Sequence, residues 1–389
     1  MRRIYLDHNA TTPLHPESLK AMLPFLEASY GNASSIHFLG REARAALDDA
    51  RERLATLLGA KAGEIVFTSG GTESDNHAIF GIVHALAGKG KHIVTSAIEH
   101  HAVLHTCEYL QKHGGCELTV LPVGRNGLVD PETVRRAIRD DTVLVSVMWA
   151  NNETGAIQPV REIGAICRER GVVFHSDAVQ AFGKVAVGVR NLPVDLLSFS
   201  AHKIYGPKGT GALWVRPQLR IEPLLLGGSH EGDRRAGTEN IAGVVGFVRA
   251  AETMLPGLAA EDLRLRGLTE RLWQGLQKSI QSIVRNGDPE RRVANTLNVS
   301  VPGCTSDALL ISLDLEGIGA SSGSACAVGS LKPSHVLLAM GLGNELANSA
   351  VRFSLGAGST EADVDAVIEV MSGIVKRLRS FQGGTRFAK

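Results

Sequence analysis

Residues 143–175 read VLVSVMWANNETGAIQPVREIGAICRERGVVFH, and this stretch decides the fold class. Two β-rich runs, at 143–147 and 172–175, enclose a helical stretch at 160–170. Both runs are almost continuously apolar, as expected of strands that are covered on both faces. The order strand, helix, strand predicts a parallel pair of strands joined by a helical crossover.

The same alternation extends over the first half of the chain and beyond. Five more β-rich runs stand between turns and helical stretches, at residues 64–68, 92–95, 118–121, 195–199 and 212–215. Together the seven runs predict an α/β fold whose mainly parallel seven-stranded sheet is wrapped by helices.

After about residue 240 the pattern changes. Residues 241–282 have the spacing of one long helix or of two helices. A strand, a helix and a loop rich in glycine and serine follow, at residues 294–301, 306–316 and 317–330. This order is typical of a smaller α+β domain. The predicted domains are a large domain at residues 15–260 and a small domain at residues 1–14 and 261–389.

Composition excludes several classes of protein. The chain has 389 residues, a net charge of +1 and 44% hydrophobic residues, which argues against a nucleic-acid-binding protein and against wholesale disorder. The most apolar long stretch, residues 241–260, is interrupted by Arg249 and Glu252, so we expect no membrane span. The N-terminal sequence lacks a secretory signal, and the five cysteines have no disulfide-like spacing, so we expect a cytoplasmic protein with reduced thiols.

Polar side chains follow five of the predicted strands. These residues are Thr72, His100, Asn152, Asp177 and Lys203. In an open α/β sheet the carboxyl ends of the strands form the edge at which ligands bind. One shared site explains five such placements better than five independent coincidences do.

The lysine is the most informative of these residues. Lys203 stands in the run Ser-Ala-His-Lys-Ile-Tyr-Gly-Pro-Lys-Gly at 200–209, directly after a predicted strand. A lysine in this position can form a Schiff base with a carbonyl cofactor. Lys208 competes for the same role, and either lysine could instead lie on the surface before a glycine turn. The usual phosphate-binding fingerprints of kinases and dehydrogenases are missing from the sequence.

The other strand-end residues each have a structural alternative. The run Thr-Ser-Gly-Gly-Thr-Glu-Ser-Asp-Asn at 68–76 either binds a phosphate at a helix N-terminus or caps that helix through Thr72 or Ser74. Asp177 either holds a proton on a ring nitrogen or caps the following helix. His100 either stacks on a flat cofactor and moves protons or is a solvated loop histidine.

Two candidate residues lie outside this series. Cys326 stands in a loop rich in glycine, serine and alanine at 319–329, where we expect it to be exposed, as a reactive thiol or an accidental one. Arg352 lies in a strand-like run at 349–356. A buried arginine needs a carboxylate partner, which could belong to the protein or to a substrate.

Four motifs give the chain a family resemblance: Ser-Gly-Gly-Thr-Glu-Ser, Asn-Asn-Glu-Thr-Gly, Ser-Ala-His-Lys-Ile-Tyr-Gly-Pro-Lys-Gly and Ser-Ser-Gly-Ser-Ala-Cys. With them the chain resembles a cysteine desulfurase of the IscS/NifS type, within the class V aminotransferase family of pyridoxal-phosphate enzymes. The resemblance extends from Tyr5 to Gly356. It implies the aspartate-aminotransferase-like fold (fold type I) and a homodimer with sites at the subunit boundary.

The resemblance also implies how the cofactor, pyridoxal 5′-phosphate (PLP), is held. Lys203 would be the Schiff-base lysine, while Asp177 and Gln180 would pair with the pyridine nitrogen and the ring 3-hydroxyl. His100 would stack on the ring and shuttle protons. The phosphate ligands would be Thr72, Ser200, His202 and Thr238 of the partner subunit.

Substrate and product follow from the same resemblance. Asn152 and Arg352 would bind the carboxylate of L-cysteine, and Asn152 would also contact the cofactor. Cys326 would accept the sulfur as a persulfide while L-alanine leaves. The sulfur would pass to an Fe–S scaffold protein or a tRNA-thiolation protein, with no direct nucleic-acid contact. Cys326 would help to hold a nascent cluster on the scaffold, and no intrinsic metal is expected.

Other functions remain open from the sequence. A selenocysteine lyase, a kynureninase-like enzyme or a class V aminotransferase would share the fold, but an aminotransferase has no need of Cys326. A scaffold or regulatory protein that has lost catalysis is a further possibility. The intact Lys203, His100 and Asp177 argue against it.

Overall fold

The structure, a computed structural model, describes residues 3–322 and 333–384. The strands are β1 Ile4–Tyr5, β2 Ile65–Thr68, β3 His92–Ser96, β4 Glu117–Leu121, β5 Thr142–Ser146, β6 Val173–Asp177, β7 Leu196–Ser200, β8 Gly211–Val215, β9 Val284–Asn286, β10 Thr296–Ser300, β11 Ile318–Gly319 and β12 Ala350–Ser354. The helices are α1 Pro16–Glu27, α2 Phe38–Leu58, α3 Gly71–Ala85, α4 His101–His113, α5 Pro131–Ala137, α6 Val160–Arg170, α7 Ile241–Met254, α8 Leu258–Ser279, α9 Ser306–Leu315, α10 His335–Ala339, α11 Asn344–Ala347 and α12 Glu361–Gly384.

The central sheet has seven strands in the order β2-β8-β7-β6-β5-β3-β4. Only β8 runs against its neighbours, β2 and β7, so the predicted seven-stranded, mainly parallel sheet is confirmed. Strands β3, β5, β6, β7 and β8 are buried along their whole length because helices cover both faces. Strand β4 lies at the edge and is partly exposed.

The helix that opened the sequence argument has the predicted bounds, Val160–Arg170. It ends at Gly171, whose left-handed conformation (φ 67°) allows its N–H to bond the carbonyls of Cys167 and Arg168. Helix α6 then leads directly into β6, which lies parallel to β5. The crossover therefore forms as the pattern of residues 143–175 predicts.

Helices α7 and α8 resolve the question of one helix or two. A 3-10 turn at Leu255–Gly257, containing Pro256, separates them. By length and mean hydropathy alone the stretch Ile241–Ser279 could cross a membrane, but half of its most apolar window is buried inside the structure. Helix α7 packs on α1 and α2, and Ser18 donates to the carbonyl of Gly246 at 2.7 Å. We therefore assign α7 to the core of the fold.

Smaller sheets lie beside the central one. Strands β12, β10 and β9 form an antiparallel sheet, and β1 pairs in parallel with β11. Ile4 and Leu6 share a hydrophobic core with α8, α9, α12 and this sheet, whereas Val244 and Phe247 belong to the core of the central sheet. The domain limits at residues 15 and 260 stay a prediction.

Candidate active site

A cavity of about 300 Å³ opens where β5, β6 and β7 end. Its wall includes nine residues of the predicted site: Thr72, His100, Asn152, Asp177, Gln180, Ser200, His202, Lys203 and Arg352. Thr238 lies in a different cavity of about 160 Å³, beside Ser69 and Arg235. Cys326 falls outside the residues that the structure describes. The five strand-end residues therefore do meet at one edge of the sheet.

Lys203 reaches the cavity from a 3-10 turn, Ala201–Lys203, that follows β7 directly. Its Nζ donates to the backbone carbonyls of Asn9 and Ala10, at 2.6 and 2.7 Å. Lys208, the competing candidate, is exposed and does not line this cavity. The geometry therefore favours Lys203 as the lysine of the site.

Asp177 ends β6 with its carboxylate almost fully buried. One of its oxygens accepts the N–H of Val179 at 2.8 Å. Burial raises the pKa of Asp177 to about 6, although the Val179 N–H and the charge of Lys203 oppose the shift. A cationic partner in the cavity would stabilise the ionised carboxylate here, as the proton of a ring nitrogen would.

Behind Asp177 lies a fully buried histidine. The two ring nitrogens of His175 bond Ser146 Oγ and Ser198 Oγ, at 2.8 and 3.0 Å. Burial lowers the pKa of His175 to about 3, so the ring is neutral. The neighbouring Asp75 is also buried, and burial together with the charge of Asp177 raises the pKa of Asp75 well above its ordinary value.

The first turn of α3 forms one wall of the cavity. Its N-cap, Gly70, offers no side chain to bond the free N–H groups, and Ser74 Oγ bonds the Gly70 carbonyl instead. The reading of Thr72 or Ser74 as a simple N-cap is therefore wrong. Thr72 faces the cavity together with Ser200 and His202. Free N–H groups at the N-terminus of a 15-residue helix, with hydroxyls beside them, suit a phosphate.

His100 lies on the same cavity wall as the N-cap of α4. Its Nδ1 accepts the N–H of Ala102 at 3.1 Å, which leaves the ring proton of the neutral form on Nε2. Burial, and after it the charge of Lys203, lowers the pKa of His100 to about 4. The imidazole is therefore neutral at physiological pH and partly buried, unlike a solvated loop histidine.

Arg352 has a carboxylate partner within the protein. Its Nη2 lies 2.6 Å from Asp7 Oδ1, and its Nη1 donates to the carbonyl of Asn152 at 2.9 Å. The arginine side chain is 1% exposed, yet it lines the cavity. The structure thus holds a guanidinium at the wall where a substrate carboxylate could reach it.

Several residues of the site carry no role in the sequence analysis. Asn9, Ala10, Asp75 and Glu153 line the cavity, and Lys184 bonds Gln180 and Asn9 from behind it. Asn9 and Ala10 stand in the run Tyr-Leu-Asp-His-Asn-Ala-Thr-Thr at 5–12, at the start of the stretch that the family resemblance covers. Lys184 stands four residues after Gln180 and carried no separate signal.

Histidines also gather beside the cavity. The rings of His101 and His105 stack with centroids 4.5 Å apart, and His335 lies 4.7 Å from His101. Nearly parallel rings do not converge on an ion. Within residues 3–322 and 333–384, no group of three or more His, Cys, Asp or Glu side chains is placed to hold a metal ion.

A lysine at the end of a strand, a buried carboxylate, a neutral histidine and a helix N-terminus flanked by hydroxyls together suit an aromatic carbonyl cofactor that carries a phosphate. On this fold, that set of donors defines the class of pyridoxal-phosphate enzymes of fold type I.

Comparison with known proteins gives the family. The chain belongs to the Aminotransferase class-V family, which matches residues 4–367. It is 48% identical over 379 residues to "Cysteine desulfurase IscS" of Dictyoglomus turgidum, covering 97% of this chain and 96% of that protein. The cofactor of this family is PLP.

Solved structures agree with this assignment. A "NIFS-LIKE PROTEIN" superposes with a TM-score of 0.91 at 36% identity, covering 97% of this chain and 100% of the other. A second structure, "SspA in complex with cysteine", has a TM-score of 0.81 at 36% identity and covers 90% of this chain and 98% of its own. The resemblance to IscS/NifS-type desulfurases and the predicted fold are confirmed.

Proposed function

We propose that this protein is a cysteine desulfurase that removes sulfur from L-cysteine, releases L-alanine and leaves a persulfide on Cys326. One observation carries the proposal. A chain 48% identical to a cysteine desulfurase over 97% of its length brings Lys203, Asp177 and His100 together around one cavity. The same fold binds cysteine in the structure entitled "SspA in complex with cysteine".

The residues of the cavity are suited to hold PLP. Lys203 Nζ would attach the cofactor, Asp177 would keep the ring nitrogen protonated and Gln180 would face the ring hydroxyl. The phosphate would lie against the first turn of α3, near Thr72, Ser200 and His202. His100 would lie on the ring as a neutral imidazole, consistent with the lowered pKa of this histidine.

Bound PLP supplies an electron sink for the α-carbon of the substrate. The amine of Lys203 would hold the proton removed from that carbon. His100 Nε2 carries a proton that it can exchange with a group in the cavity. Asp177 stabilises positive charge on its side of the cavity throughout.

We assign the orientation of the substrate to Arg352 and Asn152, which also line the cavity. The carboxylate of L-cysteine would approach the Arg352 guanidinium and share it with Asp7. Asn152 would contact both the substrate and the cofactor, since its carbonyl already fixes Arg352 Nη1.

The sulfur transfer step belongs to Cys326. Its thiolate attacks the sulfur of the substrate, the S–S bond forms and the C–S bond breaks. L-alanine carries away the electron pair with a proton, so cysteine and a thiol become alanine and a persulfide. A thiolate is the required nucleophile.

The persulfide would be passed to an Fe–S scaffold protein or to a tRNA-thiolation protein in the cytoplasm. At the scaffold, Cys326 would also help to hold a nascent cluster. A homodimer would complete each site with Thr238 of the partner subunit, because Thr238 of the same chain lies in a separate cavity.

The first experiment is a visible spectrum of the purified protein, followed by L-cysteine and a thiol reductant, with alanine and sulfide assayed together. A yellow protein that makes both in equal amounts supports the proposal. Lys203→Ala should remove the visible absorbance, and Cys326→Ser should keep the colour but lose sulfide release.

Cys116→Ser is the matched control, because Cys116 is buried away from the cavity and its loss should leave sulfide release unchanged. Desulfuration by Cys326→Ser at the wild-type rate would remove the persulfide assignment. A yellow protein that makes neither product would instead point to another PLP enzyme of the same fold.

A further inference from the structure

Lys184 is a second lysine beside Lys203, and the roles assigned above do not use it. It follows Gly183 (φ 78°) in the segment after β6, four residues beyond Gln180. Lys184 and Lys203 both line a small cavity of about 40 Å³ that is separate from the proposed cofactor site. The two lysines therefore belong to one cluster at the end of the sheet.

The amine of Lys184 joins two side chains of that cluster. Its Nζ donates to Asn9 Oδ1 at 2.8 Å and to Gln180 Oε1. Burial lowers the pKa of Lys184 well below its ordinary value, and the charges of Lys203 and Arg352 lower it further. An amine in such surroundings is costly unless its hydrogen bonds are made, so these two contacts matter to the local structure.

The contact with Gln180 decides which end of the amide faces the site. A glutamine amide has a donor end and an acceptor end of nearly equal shape. Because the Lys184 amine donates to Oε1, the Nε2 group turns toward the Asn9 carbonyl, 2.9 Å away, at the wall of the cavity. Loss of Lys184 would remove one of the two partners that distinguish the two ends and would leave the Asn9 carbonyl to do so alone.

Asn9 transmits the same constraint to Lys203. The Asn9 carbonyl accepts both Gln180 Nε2 and Lys203 Nζ, the latter at 2.6 Å. The Asn9 side chain is held by Lys184 and Asn295 on its oxygen, and its Nδ2 donates to Thr296 Oγ1 at 2.8 Å. Asn9 is only 2% exposed, so water does not replace these partners readily.

We propose that Lys184 is a positioning residue that orients the Gln180 amide and the Asn9 carbonyl, so that the second N–H of Gln180 Nε2 is presented to the cofactor and Lys203 keeps its direction. The role rests on the proposed function only in that PLP binds at Lys203; it does not depend on cysteine being the substrate.

The test is a pH titration of the visible absorbance of the PLP-loaded protein. An N–H donor that faces the ring hydroxyl of the cofactor stabilises the deprotonated oxygen. Lys184→Met should therefore raise the pH midpoint of the absorbance change by about half a pH unit or more. Gln180→Leu should shift the midpoint in the same direction. The double variant should shift the midpoint no further than the larger single change does, because both substitutions remove the same hydrogen-bonded orientation of the Gln180 amide.

Lys112→Met is the matched control, since Lys112 is exposed on α4, and its midpoint should equal that of the wild type. An unchanged midpoint for Lys184→Met, with only a lower melting temperature, would show a purely structural residue and overturn the proposal. Additive shifts in the double variant would also overturn it.

If Lys184→Met fails to fold or to retain PLP, Lys184→Gln replaces it, because its amide can still donate to one of the two oxygens. It should give an intermediate midpoint, and a wild-type midpoint would count against the proposal. A wild-type protein without visible absorbance would contradict the proposed function instead, so the two failures are distinguishable.

Discussion

At the scale of single residues, burial shifts the pKa of several groups in and beside the site. His100 and His175 are kept neutral because burial lowers the pKa of each, to about 4 and about 3. Burial acts in the opposite direction on Asp177 and Glu99, and raises their pKa values to about 6 and about 8. Ligand binding can change the protonation state of the residues that face the cavity. Glu99 does not face it and is 0% exposed.

Glu99 gives a prediction about stability and pH. Between its ordinary pKa near 4.5 and its folded pKa of about 8, the folded protein binds a proton that the unfolded chain has released. The free energy of unfolding must therefore fall as pH rises from 6 to 8, by at most about 1.4 kcal/mol per pH unit from this group. Glu99→Gln should remove that share of the slope, measured by denaturant unfolding of the PLP-free protein.

The substitution also weakens contacts of Glu99 with Ser96 Oγ and with the Met148 N–H, at 2.5 and 3.0 Å. That loss lowers stability by a nearly constant amount over the pH range and leaves the slope as the diagnostic quantity. Glu108→Gln, on the exposed side of α4, should keep the wild-type slope. Equal slopes for wild type and Glu99→Gln would contradict the prediction.

The sequence predicts a site residue only when its partners lie near it in the chain or at the same edge of the sheet. Lys203, Asp177 and His100 each follow a strand, and the sheet alone brings such positions together. The carbonyls that hold Lys203 come from Asn9 and Ala10, almost two hundred residues earlier. Local pattern contains no information on such a contact. The Asp7 partner of Arg352 escaped prediction for the same reason.

At the scale of elements, the first turn of α3 depends on close packing. A Cβ at Gly71 would lie 2.7 Å from Val179 Cγ2, which is too close for either atom to remain in place. Val179 is β-branched and stiff, and its N–H fixes the Asp177 carboxylate. The small residue thus lets the first turn of α3, the proposed phosphate site, approach the strand end that carries Asp177.

Gly71→Ala should therefore weaken PLP binding. Overpacking of this kind costs about 1–3 kcal/mol, which corresponds to a weakening of about 5-fold to about 150-fold. The measurement is the Kd of PLP for the cofactor-free protein, followed by absorbance. Gly88→Ala is the control, because nothing lies within 4 Å of the added Cβ. Adding Val179→Ala to Gly71→Ala should recover part of the affinity; wild-type affinity in Gly71→Ala alone would show that the turn adjusts freely.

The elements themselves were largely predictable. All seven strands of the central sheet lie within one or two residues of their predicted bounds, because their apolar runs are short and are bounded by turns and helix signals. Strands β1 and β11, with two residues each, carry no periodicity that could reveal them. Their pairing joins the N-terminus to residues 318–319 and brings Asn9 to the site.

At the scale of the whole molecule, the single chain leaves large apolar side chains uncovered along α1, the segment after it and the start of α2. The exposed residues are Leu19, Leu23, Leu26, Tyr30, Ile36 and Phe38, and Ile36 is 91% exposed. Apolar surface of this extent is typical of a protein–protein interface. It supports the prediction of a homodimer, in which Thr238 of the partner subunit would complete each phosphate site.

That prediction can be tested by placing two defects in the same protomer or in different protomers. Differently tagged chains are co-expressed and the mixed dimers isolated by both tags in turn. In a dimer of Lys203→Ala with Thr238→Arg, the site that keeps Lys203 also receives an intact Thr238 from its partner subunit. About half of the wild-type PLP content and sulfide release should remain.

A dimer of wild type with the double variant Lys203→Ala/Thr238→Arg should instead lose both sites, because the remaining lysine faces the partner's arginine. If Thr238 acted within its own chain, the first dimer would be inactive and the second would keep one working site. The two arrangements contain the same set of substitutions, so only the subunit origin of Thr238 can separate their activities.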